Sequence, residues 1–136
     1  MGADEAVVCD ASALAAMIFG ESGSAEAHFL TRSRRLLAPT LLRYEMAHIA
    51  VRKLAFALDE APRAQKAFAA GLRVPVRLVE PSWPAVVELA RTNGVSAYDA
   101  SYLQVALALH VPLATLDRRL AQVAEGLGIR AGPQVE

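Results

Sequence analysis

Short apolar runs alternate along the chain with longer stretches in which apolar residues return every three or four positions, the spacing of one helix face. The runs over residues 6–10, 36–39, 74–79 and 110–115 have the length of buried strands, and the tail, 129–136, offers one more short strand. Between them, helical patterns cover 11–19, 25–35, 40–58, 59–70, 84–92, 96–109 and 117–125. Thr40 and Asp59 stand where they can cap the third and fourth helices, and Pro62 falls in a first turn, where its missing N–H is tolerated. Turn chemistry marks the junctions: GESGS at 20–24, Gly71, EPSWP at 80–84, the Asn93-Gly94 pair, and Gly126 with Gly128. Apolar strands alternating with helices predict a parallel sheet covered on both faces: an α/β fold, specifically a three-layer α/β/α sandwich with a short central parallel sheet. No repeat, low-complexity tract or linker divides residues 1–136, which read as a single domain.

Composition adds to this picture in two places. With 54% hydrophobic but only 6% aromatic residues the core is built of Ala, Leu and Val, and a mean hydropathy of +0.30 implies more apolar surface than one small monomer hides, so a partner, such as a second copy, is expected. Cys9 is the lone cysteine; no intrachain disulfide can form, the cytoplasm is the default location, and the thiol reads as a small buried strand residue. Residues 11–19 are too short to span a bilayer, acids at 4, 5 and 10 stand where a signal peptide would be basic, and Ala6 stands where myristoylation wants Ser or Thr.

The net charge is zero, but its distribution is uneven. Residues 32–77 hold ten basic side chains (Arg32, Arg34, Arg35, Arg43, Arg52, Lys53, Arg63, Lys66, Arg73 and Arg77) against Glu45, Asp59 and Glu60. Such a segment can hold a polyanion near an acidic site that would otherwise repel it; solvated helix faces are the plainer explanation for any one of these residues.

Four carboxylates stand out: Asp10, Glu45, Asp99 and Asp117. Asp10 and Asp117 each follow a predicted strand, at the edge where ligands of open α/β sheets bind. Both could simply be helix N-caps, and Asp99 lies three residues after Ser96, the place of a capping-box acid. Glu45 has Ile49 at i+4, so it lacks the basic neighbour a surface Glu gains from, leaving Arg52, two turns on, as a loose partner. At about 5 Å and an effective dielectric near 20, each like-charge pair costs roughly 3 kcal/mol, so a shared cleft needs protonation or a divalent ion. All-oxygen ligands select Mg2+, with Mn2+ as a substitute, over zinc. Such a site supports metal-assisted phosphodiester hydrolysis.

The blocks VVCDASAL, LLAPTLLRYEMAHIA, VSAYDASYLQVALAL and VPLATLDRRL resemble, in order and spacing, the motif blocks of PIN-domain proteins, especially VapC ribonuclease toxins. The resemblance covers nearly the whole chain, with 55–77 matching only loosely. It puts the family's acids on Asp10, Glu45, Asp99 and Asp117, with Asp10, Asp99 and Asp117 as metal ligands, and its supporting hydroxyls on Ser12 and Thr115. It implies a Mg2+-dependent endoribonuclease, usually a homodimer, inhibited by a cognate VapB-like antitoxin lying across the active-site groove.

Competing patterns are incomplete. Glu45 and His48 have the Glu-x-x-His spacing of di-iron bundles, which need two such motifs. A response-regulator receiver would want adjacent acids after the first strand and a late Lys; Ala11 follows Asp10, and the lysines are Lys53 and Lys66. Ser12 breaks the Asp-x-Asp pattern of a phosphatase. Trp83, without neighbouring aromatics, reads as a loop anchor more than a base-stacking residue. A non-catalytic PIN fold that only binds RNA or a protein remains the alternative from another class, although four negative charges do nothing for an RNA-binding groove.

Overall fold

The computed structural model describes residues 5–56 and 58–132. The first strand, β1 (Ala6–Cys9), lies inside a four-stranded sheet. It pairs in parallel with β2 (Arg35–Pro39) on one side and β4 (Leu113–Ala114) on the other, and β3 (Val76–Val79) adds in parallel outside β2, giving the order β3-β2-β1-β4. Val8 stands opposite Leu37 on one flank and Leu113 on the other. Val7, Val8 and Cys9 have no exposed surface, as a strand paired on both edges and covered on both faces requires. The sheet is flanked by helices, as the alternating pattern predicts.

Those helices are α1 (Ala11–Phe19), α2 (Ser24–Thr31), α3 (Leu42–Phe56), α4 (Ala61–Gly71), α5 (Trp83–Asn93), α6 (Ala97–Leu109) and α7 (Arg118–Gly126). α6 packs on β1, β2 and β4 and carries α5 on its other side. That placement explains why Ala100, Ser101, Tyr102, Leu103, Val105 and Ala106 are all buried instead of forming one stripe. α3 is more exposed and buries one face through Leu42, Met46 and Ala50. α1 ends at Gly20, whose φ of 65° lets its N–H return to the Ala16 carbonyl.

Four sequence expectations need correction. The second helix stops at Thr31 instead of 35, because Ser33 turns the chain at φ 60° and Arg35 N–H donates to the Glu5 carbonyl (2.9 Å), starting β2. The basic run that reads as a helix end is thus a turn, with Arg34 paired to Glu5 (3.7 Å). Thr40 does not cap α3: its hydroxyl donates to Glu80 Oε1 (3.2 Å), and the Leu41 carbonyl accepts the Glu45 N–H instead. Asp59 falls in a 3-10 turn, Leu58–Glu60, and α4 begins after Glu60 without a side-chain cap. The tail strand reduces to one parallel bridge, Leu113 with Ala131, and its remainder, 133–136, lies outside the described residues.

Because β2 and β4 flank β1 on opposite sides, the winding of the chain reverses at β1. The crevice beyond the carboxyl ends of β1 and β4 is therefore the switch point where such sheets place their ligands.

Candidate active site

Asp10 leaves β1 in an extended conformation and caps α1, with Oδ1 accepting the Ala13 N–H (3.0 Å). The same oxygen accepts from Ser12 Oγ (2.7 Å), and Oδ2 accepts from Thr115 Oγ1 (2.5 Å). Each hydroxyl is also an acceptor: Ser12 Oγ takes the Leu116 N–H and Thr115 Oγ1 the Asp117 N–H, both at 3.0 Å. Asp117 in turn caps α7, accepting the Leu120 N–H at 3.1 Å. The cap reading of Asp10 and Asp117 is therefore correct and does not compete with a role in the cleft. The caps aim both carboxylates out of the sheet edge, and Ser12 and Thr115 tie the two strand ends together.

Glu45 and Asp99 come from the first turns of α3 and α6. Asp99 is placed by Ser96, whose Oγ accepts the Asp99 N–H (3.0 Å) and starts the helix. Among the described residues no ion pair joins Glu45 to Arg52; Glu45 Oε1 instead accepts a hydrogen bond from Tyr102 Oη (2.6 Å). Tyr102 and Arg119 are the two neighbours of the acids that the sequence reading passes over. A polar tip inside a largely apolar helix, three residues after Asp99, is the available signal for Tyr102, since a buried Tyr hydroxyl needs a partner.

The acids repel one another. Burial raises the pKa of Asp10 most, against the lowering hydrogen bonds of Thr115, Ser12 and Ala13, and the charge of Asp117 adds to the rise. Burial likewise raises Glu45, opposed by Tyr102 and reinforced by Asp10 and Asp99. Burial raises Asp99, with Asp117 adding to it and Arg119 easing it. The acids named in these effects place Asp10 and Asp99 near Asp117, and Glu45 near Asp10 and Asp99. Burial also raises the Tyr102 hydroxyl and the Cys9 thiol, so both keep their protons.

Among the described residues no three Asp, Glu, His or Cys side chains are grouped as a ready-made metal cage. The donors present fit Mg2+ nonetheless. They are oxygens only, they repel one another, and Mg2+ keeps several waters and binds through one or two carboxylates plus a substrate phosphate. Asp10, with Asp99 or Asp117, offers that few-ligand arrangement, whereas zinc would want nitrogen or sulfur donors.

Two grooves lie near this region, and of the four acids only Asp117 lines one of them. One, of about 980 Å³, runs between α1, α3 and α4 and is lined by Ser12, Phe19, Arg52, Lys53, Phe56 and Arg63. The other, of about 940 Å³, is lined by residues including Thr115, Asp117, Arg118 and Arg130. Ser12, which donates to Asp10 Oδ1, borders the first groove, and Thr115, which donates to Oδ2, borders the second. Part of the basic segment borders the first groove, where Lys53 pairs with Glu21 and lies over the Phe19 ring.

Comparison with known proteins agrees with this architecture. The crystal structure of PAE2754 from Pyrobaculum aerophilum superposes with a TM-score of 0.73 over 94% of this chain and 91% of that one, at 23% identity, a likeness of fold. No curated protein sequence matches. The PIN domain family model matches residues 7–126, from the middle of β1 to the end of α7 and across all four acids. The chain belongs to the PIN domain family.

Proposed function

We propose that the protein is a Mg2+-dependent endoribonuclease that acts as the toxin of a type II toxin–antitoxin pair, with Mn2+ able to replace Mg2+. PIN domains are generally metal-dependent nucleases. The observation that carries the reading is the convergence of four carboxylates from separate elements, Asp10 and Asp117 as helix caps at the switch point and Glu45 and Asp99 from the first turns of α3 and α6, where neighbouring acids add to burial in raising Asp10, Glu45 and Asp99. A divalent cation relieves that repulsion; a binding-only groove for RNA would be weakened by it.

In this reading Asp10, Asp99 and Asp117 hold the cation, and Ser12 and Thr115 fix both oxygens of Asp10. When bound, the cation supplies a water of lowered pKa and charge stabilisation for the phosphoryl group. Glu45 orients the attacking water. Exposed Tyr44 and Phe56 on α3 (80% and 85%) and Trp83 and Val87 on α5 support protein partners, here a second copy of the chain and a VapB-like antitoxin, in the cytoplasm.

One observation favours a second reading. The acids are not grouped as a cage, as they would not be in a PIN domain that only binds RNA or protein. Purified protein incubated with total cellular RNA separates the two. Discrete fragments that require Mg2+ and vanish with EDTA or in Asp99→Asn support the nuclease; intact RNA with folded, partner-free protein supports the binding module.

A further inference from the structure

Tyr102 is buried to 2% exposure in the core, one turn beyond Asp99 on α6, and its hydroxyl reaches Glu45 at the start of α3. The two helices that bring acids to the cleft from outside the sheet are thus joined at an acid itself. We propose that Tyr102 is the positioning residue for Glu45, holding one oxygen of its carboxylate so that the other is presented to the attacking water.

The chemistry of the donor supports this. A Lys or Arg could hold the same carboxylate, but its charge would occupy a cleft whose four acids serve a cation. A phenol donates a strong hydrogen bond to a carboxylate without adding positive charge. The ring is clamped among core side chains, so the position of the hydroxyl is set by packing and does not depend on a flexible arm. Glu45 extends from a partly exposed helix over three rotatable bonds and gains the most from a fixed anchor.

The role rests on the nuclease reading, and the experiment keeps the two apart. Wild-type protein is assayed first: failure to cleave RNA with Mg2+ removes the nuclease and, with it, this role. With cleavage in hand, Tyr102→Phe removes one oxygen and keeps the ring. We expect kcat to fall on the order of 100-fold, the loss expected from a misplaced group. KM for RNA should stay within about 2-fold, as for an interaction felt chiefly in the transition state. Binding of a fluorescent single-stranded RNA in EDTA, read by anisotropy, should not change. Glu45→Gln should lower kcat alike, and the double variant should be no slower than the slower single variant, since the pair acts as a unit. The same cycle read by metal-free melting should show losses smaller than their sum. Should Tyr102→Phe not fold, Glu45→Asp, which withdraws the carboxylate by one methylene, should give the same kcat loss. Unchanged kcat, or strictly additive losses in rate and melting, would overturn the proposal.

Discussion

The cleft has two halves that are built differently. Asp10 and Asp117 stand at strand ends, and each carboxylate accepts a backbone N–H three residues on; Asp10 is held further by the hydroxyls of Ser12 and, across the β1–β4 pair, Thr115, which also accepts the Asp117 N–H. Glu45 and Asp99 ride on helices; Glu45 is fixed by a side chain 57 positions distant, and Asp99 through the cap that starts its helix. The strand half takes its geometry from the sheet and is rigid once β4 docks. The helix half depends on where α3 and α6 are separately held, joined at Glu45 by the Tyr102 hydroxyl, so it is the half whose geometry can vary while the fold is kept.

The largest effect should come from breaking the strand half at its centre. Asp10→Asn keeps the α1 cap, because an amide oxygen can accept the Ala13 N–H, yet cleavage should fall by about three orders of magnitude or more, as on losing a preorganised electrostatic group. Circular dichroism should show the fold intact. Thr115→Val should come next. It removes the donor to Asp10 Oδ2 and the acceptor of the Asp117 N–H, so we expect cleavage to drop about 10-fold to 100-fold and stability to fall by roughly 1–3 kcal/mol in urea titration. Ser96→Ala tests the helix half: loss of the cap should cost about 1 kcal/mol and lower cleavage by less than Thr115→Val does.

A smaller effect sharpens the comparison electrostatically. Asp10, Glu45 and Asp99 have pKa values raised by folding, so between the ordinary carboxylate range and those raised values the folded chain binds more protons than the unfolded one. Their contribution is therefore most favourable at low pH and is lost as pH rises through the raised values. Metal-free protein should melt a few degrees higher at about pH 5 than at about pH 7.5, and Mg2+ should narrow the gap. Asp10→Asn should flatten the dependence most, since Asp10 is the most deeply buried of the three. A dependence of melting on pH and metal that is unchanged from wild type in all three neutralised variants would mean that these acids do not share a cleft.

The same division explains what the sequence discloses. Asp10 and Asp117 are legible because their placement is local: an apolar run, an acid, then a helix, with Ser12 and Thr115 within two residues. The parallel sheet is legible for a similar reason, since β1 has no polar position between Ala6 and Cys9. The partner of Tyr102 is not legible, because Glu45 lies 57 positions away on α3 and meets the hydroxyl only in the folded chain. The ends of α2 and α3 are missed where a tertiary bond overrides a local signal: Arg35 leaves the helix to pair beside β1, and Thr40 gives its hydroxyl to Glu80 instead of to a helix terminus. Cys9 follows the simple expectation and sits buried and inert in β1.

The place of β1 inside the sheet has a consequence for synthesis. Asp10 is made more than a hundred positions before its Oδ2 partner, Thr115, and the fourth acid, Asp117. At about 5–20 residues per second, the ribosome needs on the order of 10 s to travel between them. Throughout that interval one edge of β1 lacks its neighbour and the set of acids is incomplete. A nascent chain therefore carries Asp10, Glu45 and Asp99 before β4 and Asp117 exist to complete the cleft, and under the proposed nuclease reading activity appears abruptly, when β4 docks.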